Sequence, residues 1–282
     1  MSAITPALAL GLTYPESPRW HRGHLYFSDV HAFRLCRCPW DGPVETVSEV
    51  PGRPAGIGVL RDGRLLVATA LDRLLLRVDV SETPASTTQY ADLADLATGL
   101  LNDMIVDTSD RAWVGDTGHV LGAPYRPGRL LRCGPDRVAV VAADDLNFPN
   151  GLAMAPDGSV LYVAETFARR ITAFDVHSDG TLTGRRVYVD LPGIPDGICL
   201  DMESHLWIAL PDDERFIRVN PVGRVVDTVP TSPWRAIACL LAGAGRRYLV
   251  QCLAQTTDGS GGALRYGEIR SQLRSVAGAG VP

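Results

Sequence analysis

The sequence predicts an all-β fold, a six-bladed β-propeller with four-stranded antiparallel blades, and three observations predict it. The first is self-similarity. PAGIGVLRDGRLLVA (54–68), LNDMIVDTSDRAWVG (101–115), PNGLAMAPDGSVLYVA (149–164) and PDGICLDMESHLWIA (195–209) share one plan. Each opens on a small or polar residue, alternates apolar positions, turns at D-G or an equivalent, and enters a second β-rich run. The second is spacing: Glu16, Ala55, Asn102, Asn150, Asp196 and Arg235 hold equivalent places 39, 47, 48, 46 and 39 residues apart, the period of propeller blades. The third is composition, since 28 Gly and 20 Pro in 282 residues favour short elements joined by turns.

Taken along the chain, PESPRWHRGHLYFSD (15–29) is the first unit, with a shorter hairpin, and WRAIACLLAGAGRRYLVQ (234–251) is the last and loosest. Four full units stand between them. Six units fill residues 1–282 as a single domain with no linker. An open blade would leave unpaired strand edges, so the ring needs closing. The strand-like segment 3–12 is expected to pair with strands from the C-terminal end. A β-solenoid, the rival architecture, would want a shorter and more regular repeat.

Composition excludes several functions. With 46% hydrophobic and 21% charged residues and a net charge of −5, the chain is that of a soluble globular protein. All 27 basic residues are Arg, so lysine Schiff bases, P-loop phosphate sites and a lysine general base are ruled out. The Arg residues are scattered and form no stripe for nucleic acid. The longest uncharged apolar run, 236–245, is too short for a membrane span. The N-terminus has no basic leader before its apolar stretch, so a cytoplasmic location is expected. Cys36 and Cys38 form a C-x-C without a second pair. Cys133, Cys199, Cys239 and Cys252 lie in apolar runs and read as small buried hydrophobes in a reducing compartment.

In a propeller, the loops entering the innermost strands gather on one face around the axis. Glu16, Ala55, Asn102, Asn150, Asp196 and Arg235 therefore converge from different blades. Four of the six, Glu16, Asn102, Asn150 and Asp196, carry side-chain oxygens. Such a donor set suits one hard divalent cation, Ca²⁺ first, with Mg²⁺, Mn²⁺ or Zn²⁺ as alternatives. Four protein ligands leave positions open for water and substrate, as a catalytic site requires.

These residues carry a resemblance. E-S-P-R-W (16–20), N-D-M-I-V-D (102–107), F-P-N-G-L-A (148–153) and P-D-G-I-C-L-D (195–201) make the chain similar, over nearly its whole length, to the group of senescence marker protein-30 (regucalcin), gluconolactonases and luciferin-regenerating enzyme. The resemblance implies a six-bladed propeller with a divalent metal on the axis, and lactone hydrolysis. It implies Glu16, Asn150 and Asp196 as metal ligands and Asn102 as a further ligand or substrate-positioning residue. It also implies Asp196 as the general base, removing a proton from water while the metal polarises a lactone carbonyl.

The chain departs from that family's pattern at the pocket. Sugar-lactone members often carry Arg two residues before the Asn of the N-D motif, where this chain has Leu100. With Trp234 before the last inner strand, Leu100 points to a substrate less polar than a sugar lactone. Loops on the same face add Phe167, His119, Tyr125 and Arg126. His119 is a candidate proton shuttle or an ordinary loop histidine, and Tyr125–Arg126 a candidate contact for an aromatic or anionic group. Asp29 and Asp116, at the ends of second strands, read as partners of backbone amides in turns. The expected partner is a small-molecule lactone or ester, with no nucleic acid and no membrane, for a monomer or homodimer. A metal-dependent cyclase, isomerase or dehydratase and a non-catalytic metal-binding propeller stay open as alternatives.

Overall fold

The computed structural model describes residues 7–120, 122–255 and 266–280. After β1 (Ala7–Leu12), the chain lays down blade one as β2 (Pro15–His21), β3 (His24–Asp29), β4 (Arg34–Pro39) and β5 (Glu45–Glu49). Blade two holds β6 (Pro54–Val59), β7 (Leu65–Thr69), β8 (Leu74–Asp79) and β9 (Ser86–Asp92). Blade three holds β10 (Leu101–Val106), β11 (Ala112–Asp116), β12 (Gly128–Cys133) and β13 (Ala139–Leu146). Blade four holds β14 (Pro149–Met154), β15 (Val160–Glu165), β16 (Arg170–Val176) and β17 (Leu182–Asp190). Blade five holds β18 (Ile198–Leu200), β19 (Leu206–Leu210), β20 (Arg215–Val219) and β21 (Val225–Pro230). Blade six holds β22 (Arg235–Ala242), β23 (Tyr248–Gln255) and β24 (Tyr266–Leu273), and its fourth strand is β1.

The expected architecture is therefore present, and so is the closure. β1 pairs antiparallel with β24, Ala9 opposite Ile269 and Leu12 opposite Gly267, so the last sheet is sewn shut by the first strand. Residues 3–6 of the expected closing segment lie outside the described residues. The innermost strands touch in the circular order β2, β6, β10, β14, β18, β22 and back to β2.

Period-two alternation gives each sheet two apolar faces, and each face is buried against the next blade. Apolar side chains accordingly gather in six clusters, one at every blade–blade interface. Between blades three and four, for example, the fully buried Trp113 packs with Leu130, Leu152 and Val163. Each such large side chain stabilises the fold by about 1.5–3 kcal/mol. All six cysteines are buried and free. Among the described residues no helix is long and apolar enough to cross a membrane.

One irregularity repeats. In β2, β6, β10 and β14 the ladder slips by one residue near the strand start, as where Glu16 faces Ser28 but Arg19 faces Tyr26. Such a bulge breaks the alternation and re-aims side chains. Here it falls on the motif residues.

Candidate active site

The loops entering the inner strands are held by a device that recurs in three blades. Asp29, Asp116 and Glu165, each wholly buried at the end of a second strand, turn their carboxylates onto backbone amides. Asp29 accepts hydrogen bonds from Thr13 N (2.9 Å) and Tyr14 N (3.0 Å), just ahead of Glu16. Asp116 accepts from Thr98 N and Gly99 N, both at 2.7 Å, ahead of Asn102. Glu165 accepts from Asn147 N at 2.7 Å, ahead of Asn150. Asp29 and Asp116 thus play the turn-holding part expected of them. In blade five, the backbone of Asp196 is fixed instead by N–H donation to Ala209 O (3.0 Å). The glycines after Asn150 and Asp196 are required by close approach: a Cβ on Gly151 would lie 2.4 Å from Asp196 O, and one on Gly197 2.6 Å from the Ala238 Cα.

Glu16 and Asn102 line one cavity of about 240 Å³ together with Tyr14, His31, Arg53 and Ala55. Asn150 and Asp196 form the next part of the ring. Thr166 Oγ1 donates its one proton to Pro195 O at 2.8 Å, so toward Asn150 it can only accept. The Asn150 amide therefore presents Nδ2 to Thr166 at 3.2 Å, and its oxygen is left for another partner. Ala55 offers no oxygen, and Arg235 is engaged with Asp212 at 2.6 Å.

The electrostatics of these groups are coupled. Burial and then the Asp103 carboxylate push Asp196 up to about 8, against the pull of Arg235 and a hydrogen bond from the Asn150 side chain. Burial, Asp196 and Asp103 likewise raise Glu16 well above the usual carboxylate range, with Arg53 opposing. Tyr14 is raised by burial and by Asp196 and Glu16, so it stays a phenol and a donor. Among the described residues neither Glu16 nor Asp196 has an ion-pair partner. A buried and a half-buried carboxylate brought together, with amide oxygens beside them, fit a hard divalent cation, which would offset the repulsion between them. Among the described residues no three His, Cys, Asp or Glu side chains gather in metal-binding geometry, so such a cation would depend on the amide oxygens.

Sequence reasoning missed the axis beneath. Ser17 Oγ donates to Asp103 Oδ1 (2.9 Å), and Arg19 pairs with Asp103 at 3.5 Å while donating to Pro18 O (2.8 Å). This buried network underlies the ring, and its carboxylate raises both Glu16 and Asp196. The only signal was that Ser17 and Asp103 stand where other repeats have Gly. Tyr14 and Arg53 were also missed, although both precede a Pro at the start of an inner strand.

The expected substrate residues divide. Tyr125, Phe167 and His119 meet in an aromatic cluster with Phe148: Tyr125–Phe167 centroids are 5.3 Å apart, Phe148–Phe167 4.6 Å and His119–Phe148 6.4 Å. Phe167 is 55% exposed there. Arg126 is exposed on the same loop. Leu100 ties that loop through its backbone, donating to His119 O at 3.1 Å and accepting from Thr117 N at 3.0 Å. Trp234 packs on the core between blades five and six, with the Arg270 guanidinium 5.5 Å from its ring centre.

Comparison with known proteins bears on this geometry. The family model described as SMP-30/Gluconolactonase/LRE-like region matches residues 14–254. Regucalcin of Xenopus laevis is 28% identical over 260 residues, covering 86% of this chain and 84% of that protein. The 6-deoxy-6-sulfogluconolactonase of Pseudomonas putida is 30% identical over 227 residues, covering 76% and 74%. A solved luciferin-regenerating enzyme superposes with a TM-score of 0.82 at 22% identity, over 96% of each chain, a likeness of fold.

Proposed function

The chain belongs to the SMP-30/Gluconolactonase/LRE-like family, and from that premise we propose that it is a divalent-metal-dependent hydrolase of a lactone or ester less polar than a sugar lactone. One observation carries the reading: the Glu16 and Asp196 carboxylates come from blades one and five close enough for Asp196 to raise the proton affinity of Glu16, neither has an ion-pair partner among the described residues, and the amides of Asn102 and Asn150 stand beside them. Glu16, Asn102, Asn150 and Asp196 would hold one cation, Ca²⁺ first among Ca²⁺, Mg²⁺, Mn²⁺ and Zn²⁺. Bound there, it would supply positive charge for a carbonyl oxygen gaining negative charge and acidify a water.

The chain's own residues do the rest. Asp196 takes a proton from the attacking water, for which it must be ionised; near a cation its raised value falls into a useful range. Tyr14, held as a phenol, can donate to a substrate oxygen. Phe148, Phe167 and Tyr125 form the apolar wall that a hydrophobic substituent would use, and this wall supports the less polar substrate. Leu100, His119, Arg126 and Trp234 remain candidate substrate contacts. The six buried free thiols suit a reducing compartment such as the cytoplasm.

The test is metal analysis of protein purified without chelator, followed by a lactone and ester panel in heavy-oxygen water. The reading expects a bound divalent ion, activity lost on chelation and restored by Ca²⁺, Mg²⁺, Mn²⁺ or Zn²⁺, and one solvent oxygen in the product. Turnover without solvent oxygen would point to a cyclase or isomerase instead.

A further inference from the structure

We propose that Arg53 is a substrate-orienting residue that binds an acidic group carried by the lactone, a carboxylate or a group of like charge. The proposal rests on the hydrolase reading above and names its substrate class. By repeat equivalence, Tyr14, Arg53, Leu100, Phe148, Ile194 and Pro233 stand two residues before the ring positions, and among them Arg53 alone is charged.

The structure holds Arg53 in place by its backbone, and its charge acts on Glu16 without forming an ion pair. Its backbone is pinned by donation to Val50 O (2.9 Å) and acceptance from Ala70 N (2.8 Å). It adopts a left-handed φ of 63°, as Phe148 does in blade four with 58°. Its side chain lines the cavity that also contains Glu16 and Asn102. Yet it forms no ion pair among the described residues, and its Nε is enclosed without an acceptor. The nearby Arg235 shows the contrast, since Asp212 neutralises it at 2.6 Å. The ring position of blade two is Ala55, so this blade leaves space where blades one, three, four and five put a side-chain oxygen.

A guanidinium that lines the cavity beside Glu16 and forms no ion pair among the described residues is a fork open to an anion. The aromatic wall of Phe148, Phe167 and Tyr125 belongs to blades three and four, the next two blades round the ring from blade two. The substrate this arrangement fits is an amphipathic lactone, its apolar arm on that wall and its acidic group on Arg53, with the ring carbonyl between them.

The experiment is calorimetric binding of a lactam pair that the enzyme cannot open as a lactone, pyroglutamate and its neutral amide, to the Ca²⁺-loaded wild type. Pyroglutamate should bind roughly tenfold or more tightly than the amide. Arg53→Gln and Arg53→Met should each erase the preference while melting cooperatively, and Arg53→Lys should keep part of it. Equal binding of the pair by wild type, no binding of the acid, or a preference that survives in both neutral variants overturns the proposal. The two readings fail separately: intact preference for the acid with no lactone opened across the panel would sink the hydrolase and leave Arg53 as an anion-binding residue.

Discussion

Asp29 and Asp196 are both buried carboxylates in the same fold, and their proton affinities move in opposite directions. Burial opposes ionisation of Asp29, but hydrogen bonds from Thr13, Tyr14 and Arg34 prevail and hold it below the usual range. Asp196 meets burial, the Asp103 carboxylate and too few donors, and is pushed up to about 8. Asp29 is satisfied by hydrogen bonds from its own chain; on the proposed reading Asp196 takes its partner, a cation, from outside. On that reading, the difference separates an acid that builds the site from an acid that works in it.

The strongest test of that division is removal of each acid in turn. Asp196→Ala should lower kcat/KM by roughly a thousandfold or more, through loss of both the base and a cation donor, while raising the melting temperature of the chelator-treated protein at neutral pH, because a buried carboxylate that resists ionisation is gone. Asp29→Ala should do the reverse in kind. It strips three donors and Arg34 of their acceptor, and should cost about 2–4 kcal/mol in chemical denaturation. A catalytic loss for Asp29→Ala larger than that for Asp196→Ala would break the comparison.

Acid and base titration of stability sharpens it further. Asp196 binds its proton more tightly folded than unfolded, so the chelator-treated protein should lose stability as pH rises from about 4 to about 8. Asp29 contributes the opposite slope: its stabilisation is present above the unfolded value and is lost as pH falls through its lowered folded value. Adding Ca²⁺ should flatten the upper part of the melting-temperature profile and leave the acid limb unchanged. A Ca²⁺-independent profile would argue against Asp196 as a cation donor. The smallest expected effect is at the rim. Phe167, 55% exposed, should change stability by no more than about 0.5 kcal/mol when replaced by Ala, while raising KM selectively for lactones with an apolar substituent.

Much of this was legible in the sequence. The repeat spacing and the D-G turns identify the blades because each blade is a local antiparallel meander whose register follows from alternation and short turns. The ring positions follow from repeat equivalence, which is how Glu16, Asn102, Asn150 and Asp196 could be singled out. The aromatic trio His119, Tyr125 and Phe167 was legible as loop residues of one face, but its joining through Phe148 was not. Trp234 reads as a candidate pocket residue because it stands just before the last inner strand; that it also packs on the core between blades five and six, with the Arg270 guanidinium over its ring, comes from a strand distant in sequence and was not legible.

The chain on its own determined the number of blades, the closure by the first strand and the acids and amides that top the inner strands, since period and turn chemistry are local properties. Only the assembled ring decided which side chains reach the axis. The bulges let the consecutive Asn102 and Asp103 serve the cavity and the axial network, where strict alternation would turn one of them away. Charge state, too, belongs to the ring: the height of Asp196's proton affinity and the absence of an ion-pair partner for Arg53 among the described residues depend on groups from other blades, and electrostatic energy is set by distance and burial in space.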